Sequence, residues 1–164
     1  MHKAYYQSPL GLVEMIANDH AITEVSIRDK EVHKNARMPS PANVPVLEKC
    51  LHELDEYFKG ERKNFSLKLE RDGTEFQREV WRALDEIPFG KTVSYSDIAE
   101  KIGRPEAVRA VGLAMGKNPH WIIAPCHRVI GKNRKLTGYA GGLWRKKWLL
   151  DFEQEKINLK YSHS

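Results

Sequence analysis

The chain has 164 residues, with 27 Lys/Arg against 22 Asp/Glu, a net charge of +5, 41% hydrophobic residues and two cysteines. That length suffices to bury a core, in one domain or in two small ones. Two cysteines without metal-type Cys/His spacing exclude a disulfide framework, MHKAYYQSPLG is not a signal-like apolar run, and nothing nears the roughly 18 apolar residues of a membrane helix, so a cytoplasmic protein with no membrane partner is expected.

In chain order, residues 3–7, 11–17 and 21–28 are short runs rich in Val, Ile and Tyr, separated by the turn-like Ser8-Pro9-Leu10-Gly11 and Asn18-Asp19-His20. They predict three antiparallel strands. Residues 31–44 read as a loop. From Val46 to Lys59 apolar residues recur at helical spacing behind Pro45, with Cys50 on the apolar stripe as a core residue. Phe65, Leu67 and Leu69 alternate, as in a further strand or an extended linker. A break at Asp72-Gly73 divides the chain into domains at 1–71 and 72–164.

Beyond the break, Thr74-x-x-Gln77 is a capping box for a helix with Phe76, Val80, Leu84 and Ile87 on its buried face, ended by Pro88 and Gly90. Ser94 caps a second helix that Gly103 stops. A third is expected from Pro105 to Gly116. The last two fit a helix-turn-helix or a generic helical hairpin. Small residues (Ala107, Ala110, Gly112, Ala114) keep the third helix slim, with Arg109 its long basic side chain. Such a helix suits close packing, or entry into a DNA minor groove about 6 Å wide. A last helix is expected over 143–155, with Trp144, Trp148, Leu149 and Phe152 on its apolar side and Arg145, Lys146 and Lys147 on its solvated side.

The charge is uneven. Residues 1–71 balance 11 basic against 11 acidic residues, whereas 101–147 hold 11 basic residues and one acid, Glu106. A charge run can be merely a solvated face, but one this one-sided also suits a polyanionic partner. Within it lies WIIAPCHRVIGKNRKLTGYAGG, residues 121–142. Pro125 biases Ala124 towards an extended backbone and a bend. Cys126, His127 and Arg128 follow: a thiol, a base and a permanent cation. A lone cysteine among apolar residues is often only core. Yet a reactive thiol needs a paired base or nearby positive charge, and both helper types stand in the next two residues. Adjacent side chains do not face each other on a strand or helix, so His127 reaches the thiol only across an irregular turn or through a water.

These residues together resemble the 6-O-alkylguanine–DNA alkyltransferase family. The resemblance rests on Pro125-Cys126-His127-Arg128-Val129, Asn118-Pro119 before it and Thr137-Gly138-Tyr139-Ala140-Gly141-Gly142 after it. Gly73-Thr74-x-Phe76-Gln77, Ser94-Tyr95, Arg109-Ala110-Val111-Gly112 and Trp148-Leu149-Leu150-x-x-Glu153 add to it. It implies an α+β chain: a small ribonuclease-H-like domain with an antiparallel sheet, then a helical domain of winged helix-turn-helix type. It implies a cofactor-free, single-turnover enzyme that moves an alkyl group from the guanine oxygen, in double-stranded DNA, to its own Cys126. The 4-oxygen of thymine stands as an open second substrate.

Carried over by position, His127 would be the base through a bridging water, oriented by Glu153. Asn118 would brace the turn, and Tyr95 would assist nucleotide extrusion and protonate the leaving guanine. Arg109, Ala110, Gly112, Tyr95 and Arg128 would contact DNA at the minor groove, Arg109 replacing the flipped base. Pro125, Tyr139, Ala140 and Gly141 would line the alkyl pocket. The zinc ligands of some animal members have no counterpart, so no metal is expected, and the likeness implies a monomer. A non-catalytic lesion sensor of the same fold and a Cys126-His127-Glu153 hydrolase are the competing readings. Sister lesion-binding proteins carry tryptophan where Cys126 stands.

Overall fold

The computed structural model describes residues 1–29, 44–132 and 136–162, with side chains through Asn158. The expected loop at 31–44 (Val44 apart) and the basic residues Arg134 and Lys135 lie outside the described residues. Two compact units form: Met1–Asp72 with Pro119–Ile123, and Gly73–Asn118 with Ala124–Ser164. Among the described residues no helix is long and apolar enough to cross a membrane.

In the first unit, β1 (His2–Ser8), β2 (Gly11–Ala17) and β3 (Ile22–Arg28) make an antiparallel meander in the order β1-β2-β3. Asn18 Oδ1 accepts from His20 N and Ala21 N, both at 2.8 Å, which closes the second turn. Helix α1 (Pro45–Phe58) buries Leu47, Cys50, Leu54 and Tyr57. Burial pushes the Cys50 thiol up to about 12, so it is an inert core residue. The alternating 65–69 segment is extended and meets β3 through one parallel bridge, Ile22 to Leu69.

A cut at residue 71 misses one feature of this unit. Residues 119–123 run along β3, with Val25 N donating to Pro119 O (2.8 Å) and Trp121 N to Val25 O (3.0 Å). There Ile123 N reaches Trp121 O at 2.8 Å across Ile122, whose φ is +71. This is a γ-turn with a left-handed β-branched centre, a strained backbone that little besides burial can hold (Ile122 is buried).

The second unit is helical. In α2 (Glu75–Leu84) the Thr74/Gln77 capping box is present in both directions. Turns at 85–87 replace its expected last turn, with Ile87 N bonding Leu84 O. Trp81 Nε1 donates to Ala114 O at 2.9 Å. Beta strand β4 (Val93–Ser94) leads directly into α3 (Tyr95–Lys101), which is capped by a second box, Ser94 with Asp97. Gly103, at φ +77, stops it. Helix α4 spans Val108–Met115, three residues shorter at its start than expected. Pro105 opens a turn instead, closed by Ala107 N on Arg104 O at 2.9 Å. Buried Val80, Leu84, Ile98, Val111, Ala124 and Val129 form the core of this unit.

Helix α5 covers Leu143–Ser162, seven residues beyond the expected end at 155. Glu153 therefore sits in its interior and not in an unfavourable last turn. The expected amphipathicity is also corrected. Lys146, Leu149 and Glu153 are fully buried and Arg145 nearly so, whereas Trp144 is 55% exposed. The inward stripe is polar, apolar, polar, a pattern that a search for apolar periodicity passes over.

Candidate active site

The site begins at a turn that Pro125 imposes. With φ −80 and ψ 63 at Pro125, Cys126 N donates to Ala124 O at 2.8 Å in an inverse γ-turn. A single 3-10 turn, Cys126–Arg128, follows, with Arg128 N on Pro125 O at 3.0 Å. Three residues per turn splay successive side chains by about 120°, so the thiol, imidazole and guanidinium have separate surroundings although they are consecutive. All three are buried. Strand β5 (Val129–Ile130) then pairs in parallel with β4, tying this turn to the segment that carries Tyr95.

His127 and Arg128 converge on Glu153. The carboxylate accepts hydrogen bonds on both oxygens. Oε1 takes Arg128 Nε (2.8 Å) and Gly90 N (3.2 Å), and Oε2 takes His127 Nε2 (2.7 Å) and Arg128 Nη2 (3.0 Å). Arg128 also donates to Ile87 O at 2.7 Å. Burial pushes the Glu153 carboxyl up, but His127 and the permanent Arg128 charge outweigh it and hold the group well below the usual carboxylate range. Burial is also the main force on His127, lowering its pKa against the pull of Glu153 and keeping the ring neutral near pH 7.

An ionised carboxylate only accepts, so His127 Nε2 must carry the ring proton and Nδ1 must be the bare lone pair. Nδ1 is buried and has no hydrogen-bond partner among the described residues. The cluster thus presents a neutral imidazole of fixed tautomer. Arg128, expected at the DNA, is buried with its guanidinium turned inward to Glu153 and Ile87.

The helpers of the thiol are also corrected. Burial raises the Cys126 pKa, and what opposes it is a hydrogen bond from the Asn118 side chain and the charge of Lys146, not Arg128. Asn118 Nδ2 also donates to Ala124 O at 3.0 Å, bracing the γ-turn. The resting thiol is therefore protonated near neutrality and needs a base to become a nucleophile. Burial lowers Lys146 to about 8, partly offset by the thiolate charge.

A cavity of about 470 Å³ opens on Cys126. Tyr95 lines it, as do Val108, Gly112 and Met115 of α4 and the 137–140 segment. Tyr139 and Ala140 line the same cavity as Cys126. Pro125 and Gly141 line no part of the cavity; both are buried, and Gly141 O accepts from Arg145 Nη1 at 2.9 Å. Burial pushes the Tyr139 hydroxyl well up, so it stays protonated beside the thiol. Arg109 and Ala110 are exposed on α4.

Sequence reasoning missed Lys146, Thr137 and Gly90. Lys146 Nζ donates to Thr137 O (2.8 Å), and Thr137 Oγ1 and the Tyr95 hydroxyl share a hydrogen bond (2.9 Å). A usable signal existed for the lysine: it stands seven residues before Glu153, two helical turns on the same face. Gly90 holds φ +79 while its N–H reaches Glu153, and a Cβ there would lie 1.8 Å from Ile157 Cδ1.

Family models match both halves of the chain. The ribonuclease-like domain of 6-O-methylguanine DNA methyltransferase matches residues 1–71, and the DNA binding domain of the same family matches residues 75–155. A methylated-DNA–protein-cysteine methyltransferase of Mycolicibacterium paratuberculosis is 47% identical over 147 residues, covering 90% of this chain and 88% of the relative. An inducible one from Bacillus subtilis is 52% identical over 130 residues, covering 76% and 73%. A crystal structure of Mycobacterium tuberculosis OGT in complex with DNA aligns with a TM-score of 0.84 at 41% identity, covering 95% of this chain and 94% of that one.

Proposed function

Because the chain belongs to the 6-O-methylguanine DNA methyltransferase family, we propose that it repairs alkylated DNA by moving a methyl or larger alkyl group from the 6-oxygen of guanine to Cys126. The observation that carries the reading is the closed His127–Arg128–Glu153 cluster, which leaves Nδ1 as a lone-pair acceptor on the residue next to a protonated thiol. The thiol proton passes to Nδ1 through a bridging water, the sulfur attacks the alkyl carbon in line, and the carbon–oxygen bond breaks. Tyr95 protonates the departing guanine. The products are a thioether and an unmodified base. A thioether has no proton to lose and is a poor leaving group, so each chain reacts once.

The alkyl carbon is hidden inside the duplex, and flipping the nucleotide out costs a few kcal/mol. Helix α4 supplies the means: it enters the minor groove, and Arg109 takes the place of the extruded base beside Ala110 and Gly112. Among the described residues outside its own helix, a methyl group built at Gly112 would meet only Tyr95 Cε1, at 4.0 Å. The protein's own packing does not require glycine there, although glycine costs about 1 kcal/mol in a helix interior. A groove wall would require it. The protein works as a monomer, in the cytoplasm.

Intact-protein mass spectrometry after incubation with duplex DNA containing 6-O-methylguanine tests this. One added methyl per chain, on Cys126 and absent in Cys126→Ser, is expected. An unmodified wild-type chain, or label on Cys50, would overturn it.

A further inference from the structure

The proposed chemistry asks Tyr95 for a proton, and a phenol that rotates freely has no reason to aim it. Tyr95 is the first residue of α3, half-buried, and lines the same cavity as Cys126. Its hydroxyl has one proton to give and two lone pairs to fill. Thr137 Oγ1 lies 2.9 Å from it, within hydrogen-bond distance, and either hydroxyl of such a pair can be the donor. Where the threonine is the donor, the tyrosine proton is not spent on it and remains for another acceptor.

Thr137 is itself held from the other side. Its carbonyl accepts from Lys146 Nζ at 2.8 Å, and Lys146, fully buried, also lies 6.0 Å from the centre of the Tyr95 ring. The threonine belongs to the extended stretch 136–139, which has no helix or strand of its own to fix its side chain. Lys146 supplies that fixity from inside α5.

We infer that Thr137 is a positioning residue for alkyl transfer: anchored by Lys146, it occupies a lone pair of the Tyr95 hydroxyl and turns the phenolic proton towards the leaving guanine. This rests on the alkyl-transfer reading given above. The direction, Thr137 donating, is part of the inference: the opposite arrangement, Tyr95 donating to Thr137, would tie up the proton and make Thr137 an inhibitor of the same step.

The test is single-turnover transfer from a duplex holding one 6-O-methylguanine, measured for wild type, Thr137→Val, Thr137→Ser, Tyr95→Phe and Thr137→Val/Tyr95→Phe, with a melting curve for each. General-acid catalysis contributes about 10²- to 10⁴-fold, and loss of aim should forfeit about tenfold or more of it. Thr137→Val should therefore be slowed by that amount, while Thr137→Ser, which keeps the hydroxyl, stays within about twofold of wild type. In the Tyr95→Phe background Thr137→Val should slow nothing further, since no proton is left to aim. An unchanged or faster Thr137→Val, or equal slowing of it with and without the tyrosine hydroxyl, would overturn the inference while leaving alkyl transfer intact. A Tyr95→Phe variant as fast as wild type would also overturn it. A wild-type chain that takes no methyl would remove the reading beneath it as well.

Discussion

Glu153→Gln exchanges one oxygen for an NH₂ group, and the surroundings of that atom give the size of the effect. All four acceptor sites of the carboxylate are filled, two by Arg128, one by His127 and one by Gly90 N. A glutamine offers two acceptor sites and two donors, so in either rotamer two N–H donors face two others. Arg128 cannot shed its charge and is buried at 5% exposure. Breaking a buried ion pair from one side costs about 3–5 kcal/mol. For a chain of this length that is a fall in Tm of about 6–20 °C.

His127, by contrast, can yield by moving its proton to Nδ1 and accepting at Nε2. That removes the base, and transfer should slow by about 10²-fold or more at a temperature where both proteins are folded. The wild-type carboxyl has its pKa depressed on folding. Its contribution is therefore complete above the unfolded value of 4.5 and is lost as pH falls below it, so the stability gap to the variant should narrow in acid. Urea unfolding at two pH values and single-turnover transfer are the assays. A stability loss below about 1 kcal/mol with an unchanged rate would refute both the closed cluster and the fixed tautomer. Adding Arg128→Met should recover part of the stability, because the orphaned cation is then gone.

Arg109→Ala should slow transfer from duplex DNA far more than transfer from free 6-O-methylguanine, because only the duplex requires flipping; equal slowing on both would show that Arg109 serves the fold or the thiol. Lys146→Met should move the pH midpoint of Cys126 alkylation upward, since the charge that opposes burial at the thiol is lost; an unmoved midpoint would remove Lys146 from the site's electrostatics.

The elements legible in the sequence were those whose signals are local. Both capping boxes, the stop at Gly103 and the strand alternation depend on residues within a few positions of each other. The reactive turn was legible because Pro125 constrains its neighbours by covalent geometry. What escaped was set by tertiary satisfaction. Lys146 looks solvated because it stands between Arg145 and Lys147, and only the three-dimensional neighbourhood of Thr137 and Cys126 makes its burial tolerable. Arg128 looks like a phosphate ligand until Glu153 is found to lie inward. The start of α4 failed for a smaller reason: Pro105 is as well suited to the second position of a turn as to the first turn of a helix.

Gly90 widens the genetic target of this site. It lines no part of the cavity that opens on Cys126, yet its left-handed backbone lets its N–H fill the last acceptor position on Glu153, with Ile157 closing the space above. Any other residue would strain that backbone and press on α5, displacing the carboxylate that fixes the His127 proton. A collection of inactive alleles should therefore include substitutions at a residue outside the lining of the Cys126 cavity, and a survey confined to that lining would score those alleles as silent.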